Sequence, residues 1–196
     1  ASSRPWRLLE RRPDACACRL EGGGGDDYPW RFRLTARWRV SPGLLGLGLV
    51  VENLDQDDMP FGLGLHPYLV VGSDALVELP AAAAWPHEGG IPSGPPAPAG
   101  GPWRLADLPP GSSTLLTDLP DGDVAARAGG ALLRWPGDRF GEVVLYRPPD
   151  RPSLCVEPWS SVSSAAARPP GARHGLVRLP PGAAWRAWLE IAPADA

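Results

Sequence analysis

From Phe32 to Val40 the chain alternates strictly, with Phe32, Leu34, Ala36, Trp38 and Val40 interleaved by Arg33, Thr35, Arg37 and Arg39. A period of two predicts a half-buried strand whose arginines line the wetter face. Ser41, Pro42 and Gly43 supply a turn, and Leu44 to Val51, with Gly46 and Gly48, reads as a more buried strand. The two together predict a hairpin. Glu52 to Pro60 is a polar loop, Phe61 to Val71 an apolar segment containing His66 and Pro67, and Ala75 to Leu79 a short strand. Eleven of the seventeen residues from Pro86 to Pro102 are glycine or proline, which predicts a long surface loop. Beyond it, Val124 to Ala126, Leu132 to Trp135, Val143 to Tyr146, Leu154 to Val156, Gly175 to Leu179 and Trp185 to Ile191 recur as short strands with turns between them. Ala81 to Ala84 and Ala165 to Ala167 are too short for stable helices. Residues 1 to 25 carry no clear start signal before the Gly22 to Gly25 run. The pattern as a whole is that of an all-β protein, an antiparallel sandwich or barrel.

At 196 residues, with 43% hydrophobic side chains and nine tryptophans, the chain suits one globular domain over 1–196. Its 26 prolines and 24 glycines, about a quarter of the residues, favour a turn-rich fold. None of the 19 basic residues is lysine, which excludes Schiff-base chemistry and phosphate-loop nucleotide binding. A net charge of −3 gives no global basis for binding nucleic acid or an anionic membrane. No apolar run approaches the ~18 residues of a membrane span. Three cysteines, Cys16, Cys18 and Cys155, are an odd number, and a spacing of one residue departs from zinc-site spacings of two to four. Free thiols in a reducing, cytoplasmic compartment follow. No metal or cofactor motif is present.

The chemistry left is that of histidine and carboxylate. In Met59-Pro-Phe-Gly-Leu-Gly-Leu-His66-Pro-Tyr68-Leu69 a lone histidine closes an apolar stretch ahead of a rigid proline. Such a histidine is either a core residue or an acid. Glu157 in Leu154-Cys-Val-Glu157-Pro-Trp159 follows three apolar residues, where an unpaired carboxylate is expensive to bury. His174 and His87 read as loop residues. Tyr68, Trp159 and Trp30 are core aromatics or platforms for the apolar face of a ligand. Arg147 and Arg151 flank Pro148 and Pro149, on a solvated loop or a phosphate site.

Taken in order and spacing, Asn53, Met59 to Tyr68, Ile91-Pro-Ser-Gly94, Cys155-Val-Glu157-Pro-Trp159 and Leu179-Pro-Pro-Gly182 resemble the aldose 1-epimerase (galactose mutarotase-like) family. The resemblance covers most of residues 28 to 191. It implies a large antiparallel β-sandwich with an open sugar-binding face, no cofactor and a small-molecule sugar as partner; it is silent on oligomeric state. Carried over by motif, His66 is the general acid and Glu157 the general base. Tyr68 and Trp159 would lie against the sugar. Ser113 falls where the family carries a carboxylate before a Thr-Asp-Leu step, so Ser113 or Asp118 would bond the hydroxyls. The family's N-terminal strands, with their arginine and second histidine, have no match ahead of Tyr28, so an N-terminally truncated copy is expected. The function implied is anomer interconversion of an aldohexose. A hexose-6-phosphate 1-epimerase and a non-catalytic carbohydrate-binding domain of the same fold are the alternatives. His66 and Glu157 should share one cleft, their polar atoms bracketing a pyranose ring and no further apart than the ~10 Å over which paired catalytic carboxyls act.

Overall fold

The computed structural model describes residues 4–168 and 174–195. Their regular structure is antiparallel strand plus two three-residue 3-10 turns, Leu105–Asp107 and Ala165–Ala167. The chain divides into two compact units, Ala1–Phe61 with Val177–Ile191, and Gly62–Leu176 with Ala192–Ala196.

In the first unit the strands Arg7–Arg11, Ala15–Gly22, Phe32–Ser41, Leu44–Asn53 and Ala184–Pro193 pair in that order. The hairpin predicted at Ser41 to Gly43 is present: Ser41 pairs with Leu44, and Gly43 takes the left-handed φ of 73° that the tight turn needs. Leu34 and Ala36 are buried and Arg37 and Arg39 face solvent as the pattern demands, whereas Thr35 on the arginine face is buried and Val40 at the strand's end is exposed. Arg33 stands directly between Glu21 and Glu52 on the flanking strands, 2.8 Å and 3.5 Å from their carboxylates. Two strands, Arg7–Arg11 and Ala15–Gly22, lie ahead of Tyr28, in the stretch that carries no clear start signal in the sequence. They escape the sequence pattern because Ala15, Cys16, Ala17 and Cys18 are small on both faces. Asn53 closes this unit's short Met59–Phe61 and Val177–Leu179 pair: its buried amide donates to the carbonyls of Asp57 and Leu179 and accepts from the N–H of Asp55.

The second unit holds a sheet in the order Ala97–Pro98, Ala83–Trp85, Ser113–Thr117, Glu142–Tyr146, Ser153–Trp159, Tyr68–Val70. It also holds Ala131–Pro136, Asp123–Ala128, Leu76–Glu78 and Trp103–Arg104, neighbours in that order. One face of the first sheet carries Leu116, Val143, Leu145, Leu154 and Val156, all fully buried. Val77, Val124, Ala126, Leu133 and Trp135 of the second group are fully buried as well. The proline-rich stretch after Pro86 is largely irregular, yet short bridges at His87–Glu88, Ile91–Pro92 and Ala97–Pro98 tie it down. Alternation puts Glu157, Trp159, Tyr146, Ser113, Thr117, Glu142 and Trp85 on the opposite face of the first sheet, where the site lies.

Candidate active site

Glu157 sits in the middle of the strand Ser153–Trp159, not at its end as the sequence pattern suggests. Pro158 follows it without breaking the strand, because the neighbour on that side is the irregular segment Gly62 to His66, which asks little of the ladder. The carbonyl of Pro158 accepts the N–H of Leu65, Gly64 bridges to Trp159, and Leu63 and Ser160 exchange two further bonds. His66 therefore lies beside the strand on the connection between Met59–Phe61 and Tyr68–Val70 rather than at a strand end.

The two glycines of this segment are dictated by close approach. A Cβ at Gly64 would stand 2.8 Å from the Trp159 ring, and one at Gly62 would stand 2.5 Å from Ser161 Oγ. Gly64→Ala is expected to push the indole aside and destabilise the protein by about 1–3 kcal/mol, the usual penalty of overpacking. Urea unfolding of the variant measures it, and an unchanged midpoint would show that the ring has room to move.

His66 and Glu157 meet directly: Nε2 is 3.2 Å from Oε1. They share one cleft and stand well inside the ~10 Å expected from the sequence, in contact rather than on two sides of a ring. The Glu157 side chain is 4% exposed and that of His66 48%, so the carboxylate is desolvated while the imidazole keeps access to ligand. Trp159 Nε1 donates to the other carboxylate oxygen at 3.2 Å. Burial pushes the Glu157 carboxyl up to about 7, with the Trp159 bond pulling against it. The Tyr68 ring stacks on the His66 ring at 4.8 Å and 10°, with Tyr146 edge-on at 6.2 Å. A cavity of about 370 Å³ opens beside the pair, lined by Gly62 to His66, Glu157, Trp159 and Ser161 to Ser163. That falls within the ~300–1,000 Å³ of small-molecule sites. The Cys155 sulfur lies within 4.8 Å of the His66 and Glu157 donor atoms. Burial first, then the Glu157 charge, push its thiol up to about 12, so it stands there as a neutral thiol.

Ser113 shares this face but flanks the pair, two strands and one same-face residue from Glu157, roughly 12 Å by strand geometry. Its carbonyl contacts His87 Nε2 at 3.0 Å. Asp118 lies one residue past the strand's end with a left-handed φ of 58°. Neither is beside the acid/base pair. The strand Ser113–Thr117 that carries the approach to them is itself absent from the sequence pattern.

A second cluster escapes sequence reading. His174, expected to be a plain loop residue, is 12% exposed at its side chain and its Nδ1 bonds Glu142 Oε1. Thr117 Oγ1 donates to the same oxygen at 3.0 Å and lies 3.2 Å from His174 Nδ1, while Trp85 Nε1 donates to the other at 3.0 Å. The His174 ring meets Trp85 edge-on at 5.1 Å. Glu142 pairs with Trp159 across the ladder, which puts this cluster one row from Glu157.

A buried carboxylate touching a half-exposed imidazole beside a cavity, on an antiparallel β-scaffold, is an arrangement able to take and give a proton. The sequence profile of the aldose 1-epimerase family matches residues 1–102, and the chain belongs to that family. The fold is shared with a protein of Synechocystis (20% identity, TM-score 0.76, covering 96% of this chain and 65% of that one). It is shared equally with a galactose mutarotase related enzyme of Lactobacillus acidophilus (16%, 0.76, 97% and 71%). A galactose mutarotase-like protein of Clostridium acetobutylicum gives the same picture (17%, 0.76, 95% and 65%). The chain thus spans about two thirds of the length of these structures. No curated protein matches by sequence. Among the described residues no helix is long and apolar enough to cross a membrane.

Proposed function

We propose that this chain carries the acid/base centre of an aldose 1-epimerase, interconverting the anomers of an aldohexose. The observation that carries the proposal is the 3.2 Å approach of His66 Nε2 to Glu157 Oε1 at the cavity wall. In a cyclic hemiacetal the anomeric hydroxyl and the ring oxygen are bonded to the same carbon, so an acid and a base serving them need stand only a bond angle apart. Two groups in contact suit that demand better than two groups on opposite sides of a ring. Glu157 takes the proton of the anomeric hydroxyl, the C1–O bond to the ring oxygen breaks as C1=O forms, and protonated His66 gives the ring oxygen its proton. Rotation about C1–C2 and reclosure with the roles reversed deliver the other anomer. Tyr68 stacked on the imidazole and Trp159 bonded to the carboxylate hold both groups in place.

A phosphorylated hexose would need free cations on this face. Arg147 is bound to the carbonyls of Leu105 and Leu108, but Arg151 lies 5.9 Å over the Tyr68 ring and Arg168 4.7 Å over the Trp85 ring, so a hexose phosphate is the second reading.

Polarimetry or magnetisation-transfer NMR with an aldohexose tests the reading. Exchange should be accelerated, and kcat/KM should fall as pH drops through about 7, where Glu157 takes up its proton. Sugar binding without acceleration would turn the assignment to a carbohydrate-binding domain. An acid limb far below neutrality would remove Glu157 as the base.

A further inference from the structure

Of the polar side chains at the cavity wall, three are already engaged: His66 and Glu157 with each other, and Trp159 Nε1 with the Glu157 carboxylate. Ser161 and Ser163 are not. Neither hydroxyl has a hydrogen-bond partner among the described residues, although Ser161 is only 8% exposed. Buried hydroxyls are ordinarily satisfied, so one left open at a cavity is a group kept for a ligand.

The chain around them is built to present them. Ser160 is spent on structure: its Oγ accepts the N–H of Leu63 at 2.9 Å, and its own N–H donates to the Leu63 carbonyl at 2.8 Å. Val162 packs in the apolar cluster of Trp85, Leu115, Val144 and Ala165, and its N–H donates to the His174 carbonyl at 3.2 Å. Ser161 is thus held between two anchored residues, and Ser163 follows directly on the second. Gly62 completes the arrangement, since a Cβ there would stand 2.5 Å from Ser161 Oγ and take the space of the hydroxyl.

Their place along the chain selects the part of the substrate they meet. Glu157, Trp159 and Ser161 follow one another at alternate positions, a run that spans at most ~13 Å, which leaves room for one sugar ring between the two outer side chains. With C1 and the ring oxygen at His66 and Glu157, the ring bond opposite C1–O5 is C3–C4. We propose that Ser161 and Ser163 set the specificity of this site by hydrogen bonding the hydroxyls on C3 and C4, so that its substrates are aldopyranoses with both hydroxyls free. The inference rests on the epimerase reading.

Anomer-exchange kinetics and titration calorimetry of the full chain, with D-glucose, D-galactose and their 3-deoxy and 4-deoxy forms, test it. In the wild-type protein, removal of either hydroxyl should weaken kcat/KM and binding roughly 3–10-fold, the worth of one net hydrogen bond. Ser161→Ala and Ser163→Ala should each raise KM by a similar factor with kcat kept, and each should abolish the penalty for one of the two deoxy sugars. Ser163→Thr, which retains the hydroxyl, should keep the wild-type ratios. Accelerated exchange with the same deoxy ratios in the wild type and in both alanine variants would overturn the inference and leave the epimerase reading standing. Discrimination in binding without acceleration would do the reverse. Parity of parent and deoxy sugars in the wild type overturns the inference even where a serine variant fails to fold, and sugars that neither bind nor exchange faster would overturn both.

Discussion

Glutamine in place of Glu157 is expected to slow anomer exchange by about 10²–10⁴-fold, the usual worth of a positioned acid or base, and to make the folded protein more stable at pH 8. The two effects have one cause. The carboxyl is held at about 7 in the folded chain, against an ordinary value of 4.5, because burial penalises its charge. Between those values the folded state keeps a proton that the unfolded state has released, so stability falls as pH rises through the window and the loss is complete above it. A shift of that size corresponds to about 3 kcal/mol, an upper bound because His66 stands 3.2 Å away and offsets part of it. Glutamine has no charge to desolvate. Its gain should therefore be largest at pH 8 and vanish at pH 4, where glutamate is protonated in both states. Calorimetric midpoints at the two pH values measure the difference, several degrees for a chain of this size. Equal midpoints for wild type and variant at pH 8 would mean that Glu157 ionises without penalty. Loss of activity with unchanged stability would then require another account of its role.

The same physics explains which parts of this protein the sequence discloses. The strand Phe32–Ser41 is legible because its two faces see different media, and period two writes that difference into the residues. Ala15–Gly22 is not, since small side chains on both faces remove the contrast. Ser113–Thr117 is hidden differently: serine and threonine at its start read as turn chemistry, and only pairing with Glu142–Tyr146 makes it a strand. His66 and Glu157 stand out through the company they keep, two glycines ahead of one and Cys155, Pro158 and Trp159 around the other. The glycines are signals of a backbone pressed against Trp159 and Ser161. That His66 and Glu157 touch, rather than face each other across a ring, is a matter of how the Gly62 to His66 segment runs along its neighbour, which no spacing encodes. Glu142 and His174, 32 residues apart, give no local sign of each other at all.

That hidden pair should carry a large stabilising role. His174→Ala is expected to destabilise the protein by about 3 kcal/mol. Glu142 is 1% exposed, and removing its imidazole partner leaves a buried carboxylate with only the Thr117 and Trp85 donors. Leaving a buried polar group short of a hydrogen-bond partner typically costs about 1–3 kcal/mol, and the ring packing against Trp85 that is lost with the imidazole places this case at the upper end. The consequence reaches the cavity wall, because the N–H of Val162 donates to the His174 carbonyl and Val162 and Ala165 pack on Trp85, Leu115 and Val144. A loosened His174 frees that packing next to Ser161 and Ser163, which line the cavity. His174→Gln should recover part of the loss, since an amide can still donate to the carboxylate. Adding Glu142→Gln to His174→Ala should recover more, because a neutral amide between Thr117 and Trp85 has no charge left unpaired. Urea unfolding of the four proteins measures the coupling directly as a double-mutant cycle. Additive losses for His174→Ala and Glu142→Gln would show that the two side chains do not depend on one another, and that the order of this face comes from the apolar contacts of Val162 and Ala165 alone.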